Sequence, residues 1–452
     1  MPILLGTEMR ARSGAGRGVV EWHPDKTING HGLIVGASGV GKTHRLRMLT
    51  KGIVQIYGGR VIVIDVHGDI DIPGEKRVKF SESTSFGLNP LKINPDRYSG
   101  GVRRRIRSFI AMINRSGKLG SRQEAAMARL LEDLYDRNGF DPMDWKTWDP
   151  LKNPNVRGRS AAHGVYPNIS DLKKFTASKL KMLKTGAGGE AFKVLTELAK
   201  VTKALNKKTL KSHGDNEDDD DGPDPALEKL KLKAKETYSA FVDAMRTGDE
   251  INDLLRYSSE DVLASVLDRI DHLYKAGIFN DAPPPLDPSD PIHIYDIHSI
   301  GRAEQQMFVE ILLEDLWQEA KARGQVDRPD TFIVIDEASI FMTDDADHIL
   351  NILMREARKF GIGLIFASQS VNHFSEDVLA NVGLKLILGV DQMFVSQLSR
   401  MLRVDGKLID NIRPRATALA QCKVVGDQRN DFTEIFLAAD SNAGSMRQAA
   451  RG

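Results

Sequence analysis

The stretch HGLIVGASGVGKTHRLRML, residues 31 to 49, places a short apolar run, a glycine-rich loop and a helix start in direct succession. Leu33, Ile34 and Val35 form the apolar run expected of a buried parallel strand. The next eight residues, GASGVGKT, match the pattern G-x-x-x-x-G-K-[ST]. This motif requires a strand before it and a helix after it, so pattern and context agree on a nucleotide-binding P-loop.

The P-loop residues predict a site for ATP and Mg²⁺. The three glycines are expected to take left-handed dihedral angles, which turn successive N–H groups towards a phosphate at a helix N-terminus. Lys42 adds a mobile positive charge, and the Thr43 hydroxyl is expected to hold Mg²⁺ while the metal bridges the β- and γ-phosphates. The predicted nucleotide-binding residues are Gly36, Ala37, Ser38, Gly39, Val40, Gly41, Lys42, Thr43 and His44.

Composition excludes several classes of protein. At 452 residues and 41% apolar content, the chain can bury a sizeable core. Its single cysteine, Cys422, excludes internal disulfides and multi-cysteine zinc sites, which favours a reducing compartment. Lys and Arg number 63 against 62 Asp and Glu, so any basic surface must be a local patch. No apolar run approaches the ~20 residues that span a bilayer, and no signal peptide is recognisable, so we expect a soluble cytoplasmic protein without a membrane span.

Two further strands are predicted close to the P-loop in sequence. We predict an edge strand at residues 19 to 22 and a second parallel strand at RVIVID, residues 60 to 65. Ligands collect at the carboxyl ends of strands in open α/β sheets. Asp65, His67 and Asp69 therefore lie near the nucleotide or a neighbouring subunit, or else they form an ordinary solvated loop. The sequence leaves both interpretations open.

The chain changes character along its length. Two helices are predicted between Arg103 and Asn138, split near residues 117 to 120. Strand–helix alternation then stops, and lysines from Lys173 to Lys211 either line a DNA path or form the charged face of a helical cap. The predicted segments are an N-terminal segment 1–30, a first core part 31–140, a mainly helical insertion 141–290 with a disordered acidic loop near 212–225, a second core part 291–438 and a tail 439–452.

The strand–helix alternation resumes with a strand at residues 292 to 297 and a helix from about Glu304 to Arg323. FIVIDE, residues 332 to 337, is then an apolar strand followed by two carboxylates, which is the Walker B form. Asp336 is the predicted Mg²⁺ ligand, acting through water, and Glu337 is predicted to polarise the water that attacks the γ-phosphate. A kinase needs no such second carboxylate, so the pair favours hydrolysis.

Two further catalytic groups are predicted after Walker B. The buried strand predicted at residues 364 to 370 ends in polar groups. Among them is Gln369, whose amide either contacts the γ-phosphate and orients the water or merely caps the strand. A helix with a basic last turn is predicted over residues 353 to 363. A guanidinium in that turn either complements the helix dipole or reaches the γ-phosphate of an adjacent subunit from the edge of the sheet.

Four blocks resemble the FtsK–HerA superfamily of hexameric, DNA-pumping ATPases: GASGVGKT, VIVIDVHGD with FGLNPL after it, IVIDEASIFM and REARKFGIGLIFASQS. The resemblance covers about residues 31 to 140 and 290 to 425. Asn89-Pro90 and the helical pair after it are most similar to the conjugation and type IV secretion ATPases, and HerA-type DNA-end-processing translocases are similar too. The resemblance implies an α/β fold with a RecA-like P-loop NTPase core, whose mostly parallel central sheet is flanked by helices and interrupted by the helical insertion.

The resemblance also implies roles and partners. It supports the roles given above for Lys42, Thr43, Asp336, Glu337 and Gln369, makes Arg358 the trans-acting arginine finger and keeps Arg355 in reserve. It implies a homohexamer that hydrolyses ATP to translocate double-stranded DNA in conjugative transfer or DNA processing, with a nuclease or the secretion and conjugation machinery as partner. No membrane anchor of the coupling-protein kind and no C-terminal winged helix is recognisable, so we expect a soluble motor.

The sequence is also compatible with two alternative functions. One is a type IV secretion ATPase that powers pilus assembly or substrate export without gripping DNA. The other is a scaffold that assembles on ATP and hardly turns it over, and Glu337 argues against it because a scaffold needs no hydrolytic carboxylate.

Overall fold

An eleven-stranded sheet organises residues Met1–Asn89 and Ala276–Gly452, and residues Pro90–Lys275 form a second, mainly helical unit. In this computed structural model the described residues are 2–10, 18–153, 156, 165–185, 189–212, 225–244, 256–257, 259–427 and 430–438. Residues 213–224 of the acidic loop predicted near 212–225 and the tail at 439–452 lie outside the described residues.

The sheet has the strand order β2-β1-β11-β10-β9-β3-β8-β7-β4-β6-β5. Strands β3 to β9 run parallel to one another, and β10, β11, β1 and β2 extend one side of the sheet in antiparallel pairing. The strands are β1 Ile3–Glu8, β2 Val19–Trp22, β3 Gly32–Val35, β4 Arg60–Asp65, β5 Lys76–Lys79, β6 Ile292–Asp296, β7 Thr331–Ile335, β8 Ile362–Ser368, β9 Leu384–Ile387, β10 Thr417–Cys422 and β11 Thr433–Leu437.

The centre of this sheet is buried on both faces. Every residue of β3, β6, β7, β8 and β9 is buried, although side chains alternate between the faces along a strand. Strand β3 lies between β8 and β9, with Gly32 opposite Ile365 on one side and Leu384 on the other. Burial on both faces explains why these strands are continuous apolar runs, which is the pattern of parallel sheets covered by helices.

Twelve helices are described in the two units. They are α1 Lys42–Tyr57, α2 Val102–Ser116, α3 Ser121–Arg137, α4 Ile169–Thr185, α5 Gly189–Ser212, α6 Pro225–Ala244, α7 Glu260–Lys275, α8 Arg302–Arg323, α9 Ile349–Glu356, α10 Glu376–Ala380, α11 Gln392–Leu402 and α12 Gly406–Asp410. Helix α1 packs on the sheet through Leu46, Leu49 and Ile53, which join one core cluster with Ile34 and Phe332. This packing fixes the start of α1 at the carboxyl edge of the parallel strands. None of the described helices combines the length and apolarity that a membrane crossing requires.

The helical unit has a core of its own. Helices α2, α3, α4 and α7 pack together, and the buried Tyr135 donates its hydroxyl to the Leu91 carbonyl oxygen at 2.6 Å. Helices α5 and α6 pack against each other, and α6 has no buried residue. Lys193, Lys200 and Lys203 on α5 are exposed, which suits both a DNA path and an ordinary charged face. The lysine path therefore stays a prediction.

The structure confirms the predicted α/β class, with a mostly parallel sheet flanked by helices. The edge strand at Val19–Trp22, the strand at Arg60–Asp65 and the split between α2 and α3 also lie where the sequence predicts them. The predicted domain limits stay a prediction, and in the structure the division falls at Asn89 and Ala276 because α2 and α3 pack within the helical unit.

Several elements differ from the expectation. Strands β1, β5, β9, β10 and β11 were not predicted. Strand β9 was not predicted because Lys385, which is 4% exposed, interrupts its apolar run. The helix expected over 353–363 begins earlier, at Ile349, and its basic end is a separate 3₁₀ turn, Ala357–Phe360, before Gly361 at φ 73°. The left-handed conformation at Gly361 ends the turn and starts β8.

Candidate active site

The P-loop joins β3 to α1 at the carboxyl edge of the sheet. Gly39 and Gly41 have φ angles of 78° and 103°, as the motif predicts. Gly36 was expected to be left-handed as well, and that expectation is wrong: its φ is not positive. Gly36 is required for space, because a Cβ there would lie 2.6 Å from Val40 Cγ2 and 3.2 Å from the Gly389 carbonyl oxygen.

Lys42 lies in the first turn of α1, with its ammonium folded back over the loop. Its Nζ donates to the carbonyl oxygens of Gly36 and Ala37 at 2.9 and 3.0 Å. Burial lowers the pKa of Lys42, and the nearby carboxylates of Glu337, Asp336 and Asp69 oppose that shift. Thr43, half-buried, and His44, exposed, follow in the same turn. The charge of Lys42 is thus next to the residues predicted for hydrolysis.

Asp336 and Glu337 follow β7 at the same edge. Asp336 is 4% exposed, and burial raises its pKa to about 6, with His67 opposing and Asp69 adding to the rise. Glu337 has φ 49° and ψ 50°, a left-handed conformation that is uncommon for a residue with a side chain. Strained backbone of this kind is concentrated at functional sites.

Two side chains hold Glu337. Gln369, exposed just after β8, donates its Nε2 to Glu337 Oε2 at 3.2 Å. The Ser339 hydroxyl donates to Glu337 Oε1 at 2.9 Å. The structure therefore brings Lys42, Asp336, Glu337 and Gln369 together, as the sequence predicts. Ser339 was missed, since a Ser after an acidic pair carries no signal of its own.

The loop after β4 adds a further acidic group to the site. Carboxylate oxygens of Asp65, Asp69 and Asp336 lie within 4.8 Å of one another. Asp65, however, accepts the Gly68 and Ile70 N–H groups at 2.7 and 3.1 Å and pairs with Arg77 at 2.9 Å. Asp65 thus fixes the loop, while the exposed Asp69 carboxylate lies beside Asp336.

These oxygen donors suit a hard cation. Mg²⁺ prefers one or two carboxylates together with substrate phosphates and water. Asp336, Asp69 and the Thr43 hydroxyl are chemically of this kind, so the residues present fit the predicted metal. Of the two interpretations of the segment from Asp65 to Asp69, the structure favours the one near the predicted nucleotide site, because the Asp69 carboxylate lies within 4.8 Å of that of Asp336.

Arg358 lies at the opposite edge of the sheet from these residues. It lies in the 3₁₀ turn before β8, whereas Gln369 follows the other end of that seven-residue strand. At about 3.3 Å per residue, the two ends of β8 are roughly 20 Å apart. The Arg358 side chain is exposed and makes no ion pair or hydrogen bond to any residue that the structure describes. Arg355, the reserve candidate, donates to the Ala346 carbonyl oxygen at 2.7 Å.

One more arginine contacts the P-loop, and the sequence analysis missed it. Arg415 donates its Nε to the Gly39 carbonyl oxygen at 3.0 Å. It precedes β10, a strand that was not predicted, so its approach to the loop depends on tertiary structure. No local motif marks the position.

Comparisons with known proteins show what this chain is similar to. Residues 19–143 match the family model described as "Helicase HerA, central domain". The chain is 22% identical, over 86% of its length, to the DNA double-strand break repair helicase HerA of Pyrococcus furiosus. It is 23% identical, over 83% of its length, to the protein of the same name from Sulfurisphaera tokodaii. The chain spans 62% and 59% of the length of these relatives.

A solved structure has the same fold. VirB4 of Thermoanaerobacter pseudethanolicus aligns over 96% of this chain and 98% of its own, with a TM-score of 0.59 and 16% sequence identity. This likeness extends the comparison beyond the region of the family model to both units of the chain.

Proposed function

We propose that this chain, a P-loop ATPase of the FtsK–HerA superfamily, is a homohexameric motor that hydrolyses ATP to translocate double-stranded DNA. The observation that supports this most is the gathering of Lys42, Asp336, Glu337 and Gln369 at one edge of the sheet. A nucleotide-binding scaffold would need the lysine but not the strained glutamate beside it.

Each residue has a role that follows from its position. The first turn of α1 presents backbone N–H groups to the phosphates, and Lys42 neutralises their charge. Thr43 and Asp336 would hold Mg²⁺, with Asp69 close enough to Asp336 to support them. The bound metal would neutralise the charge that develops on the phosphates. Glu337 takes a proton from the attacking water, and Gln369 orients that water.

Other observations support the proposed hexamer and the proposed DNA substrate. Within one chain the exposed guanidinium of Arg358 and the residues that orient the water lie at opposite ends of β8. A ring in which Arg358 of one subunit faces the P-loop of the next would complete each site with a positive charge. DNA is proposed because the HerA relatives carry the name of a DNA break repair helicase.

A single experiment tests the proposal. ATP turnover and oligomer mass are measured with and without duplex DNA, with Lys42→Ala as the control that removes the phosphate contact. We expect a six-subunit mass and turnover that rises several-fold with DNA. Turnover indifferent to DNA would instead favour a type IV secretion ATPase that does not grip DNA. Assembly on ATP with turnover no higher than that of Lys42→Ala would favour the scaffold.

A further inference from the structure

Arg415 lies at the nucleotide edge of the sheet. It is in the loop between α12 and β10, where Leu419 of β10 pairs with Ile387 at the carboxyl end of β9. Because β10 runs antiparallel to β9, the loop before β10 lies beside the loop after β9. That loop after β9 contacts the P-loop directly, since the Ala37 N–H donates to the Gly389 carbonyl oxygen at 2.9 Å.

The contact of Arg415 with the P-loop leaves most of its guanidinium available. Its Nε donates to the Gly39 carbonyl oxygen at 3.0 Å, and its Cγ lies 3.8 Å from the point where a Cβ on Gly41 would be. A guanidinium has five N–H donors, and this bond uses one of them. The two NH₂ groups make no hydrogen bond or ion pair with any part of the chain that the structure describes, and the side chain is exposed. Two donor groups therefore lie beside the P-loop.

The backbone holds Arg415 in a specific conformation. Its φ is 65°, in the left-handed region that L residues rarely adopt. The preceding loop is fixed by the Arg413 N–H, which donates to the Thr417 hydroxyl at 2.8 Å, and by the Ala416 N–H, which donates to the Arg413 carbonyl oxygen at 3.1 Å. A strained position held by its surroundings in this way is typical of a ligand contact.

The order of the strands indicates which part of the nucleotide is near Arg415. The residues proposed for hydrolysis follow β7 and β8, on one side of β3, so the γ-phosphate lies towards that side. Strands β9 and β10 lie on the other side of β3. A triphosphate that extends along the P-loop from the γ-phosphate consequently has its nucleoside end on the β9 and β10 side, where Arg415 is.

We propose that Arg415 is a nucleotide-binding residue that acts in cis and contacts the α-phosphate and nucleoside half of the bound nucleotide. The inference rests on the proposed ATPase function. This role differs from that of Arg358, which lies at the other end of β8 from its own site and would act on the γ-phosphate of another subunit. Arg415 is planar and carries paired donors, so it suits a phosphate oxygen and the face of a purine ring.

The test measures the affinity of the full chain for ADP and for a non-hydrolysable ATP analogue by isothermal titration calorimetry. Arg415→Ala and Arg415→Gly should both weaken the two nucleotides equally, by roughly 10- to 100-fold, the usual effect of losing a charge-assisted hydrogen bond. The glycine variant suits the positive φ, so it removes the guanidinium while relieving the backbone. Arg403→Ala is the matched control, because Arg403 is also an exposed arginine with positive φ, at 54°.

Three results would overturn the inference. Wild-type affinity in Arg415→Gly would show that the guanidinium does not contact nucleotide. Weakening confined to the ATP analogue would place Arg415 at the γ-phosphate instead. An equal loss of nucleotide affinity in Arg403→Ala would show that the effect comes from the net charge of the protein and not from a contact with Arg415. If the unmodified chain binds neither nucleotide, the proposed function fails first, and that result is distinguishable from all three.

Discussion

The two edges of the parallel sheet are built differently. At the carboxyl edge, functional side chains contact one another, as Gln369 and Ser339 do with Glu337. At the amino edge, Arg358 is exposed and no side-chain partner for it is seen in the described parts of the chain, while His31, directly before β3, is buried. The carboxyl edge is nearly complete within one chain. The amino edge has an arginine whose proposed function needs a second copy, and buried groups that serve stability.

The sharpest test of this contrast is Arg358→Ala, for which we expect the largest effect. If Arg358 acts across a subunit boundary, the variant binds ATP normally and hydrolyses it about 10³- to 10⁵-fold more slowly, the range known for arginine fingers. Steady-state turnover and nucleotide affinity are measured together. Arg355→Ala is the matched control from the same region, and it should retain activity because Arg355 already contacts the Ala346 carbonyl oxygen.

Mixed rings then separate action in trans from action in cis. Rings that combine Lys42→Ala subunits with Arg358→Ala subunits should regain part of the activity, since an intact P-loop faces an intact arginine at one class of interface. Mass measurement must show both subunits in each ring. Mixed rings no more active than either variant alone would contradict the trans role and leave Arg358 as a helix-end charge.

At the carboxyl edge, Glu337→Gln should keep nucleotide binding and lose hydrolysis. Removal of a general base commonly costs on the order of 10² to 10⁴ in rate, and the amide retains the size of the side chain. Lys42→Ala should instead lose binding, because it removes a contact made before hydrolysis. Rapid-quench turnover and calorimetry distinguish the two. A Glu337→Gln rate within about threefold of the unmodified chain would overturn the assignment.

Acid should weaken the fold through His31 at the amino edge. Burial lowers the pKa of His31 from 6.5 to about 4, and its Nδ1 accepts the Leu364 N–H at 3.0 Å. In the unfolded chain His31 therefore binds a proton near pH 6.5, whereas in the folded chain it binds one only near pH 4. The stability that His31 contributes is present above pH 6.5 and is lost as the pH falls towards 4, by on the order of 2 to 3 kcal/mol.

Denaturant unfolding at pH 7 and pH 5 measures this loss. His31→Asn is the comparison variant, since its amide oxygen can accept the Leu364 N–H without titrating. The free energy of unfolding of His31→Asn should fall less between pH 7 and pH 5 than that of the unmodified chain. Equal falls in both proteins would remove His31 as the cause.

We expect the smallest effect on ATP turnover from a change in the acidic run, which is far in sequence from the site residues at either edge of the sheet. Replacing residues 212 to 225 with a short glycine-serine bridge should leave ATP turnover unchanged, because the acidic run offers no apolar side chains with which to form a site. Circular dichroism and thermal melting serve as controls for the fold. A collapse of turnover in a folded variant would reveal a role for the acidic run.

The sequence predicted what local chemistry determines. The P-loop, the carboxylates after β7 and the amide after β8 each follow an apolar strand, and parallel strands bring their ends to one edge. Contacts between segments that are distant in sequence could not be predicted from it. Arg415 meets Gly39 only because β10 joins the sheet, and Gly36 is required because of the packing of Val40 and Gly389. Strand β9 was not predicted because it contains Lys385, and a lysine is rarely buried without a partner. In the structure Lys385 Nζ donates to Gln421 Oε1 at 2.9 Å.

The position of β3 in the sheet governs when the nucleotide site can form during synthesis. Both of its neighbours, β8 and β9, come from beyond residue 361, although β3 itself ends at Val35. A nascent chain carries the complete P-loop motif through most of translation with neither strand edge covered. Pairings of such long sequence separation form slowly, and exposed apolar strands aggregate. Ribosome-bound chains that stop before β8 should therefore fail to bind nucleotide and depend on chaperones, whereas chains that extend past β10 become competent.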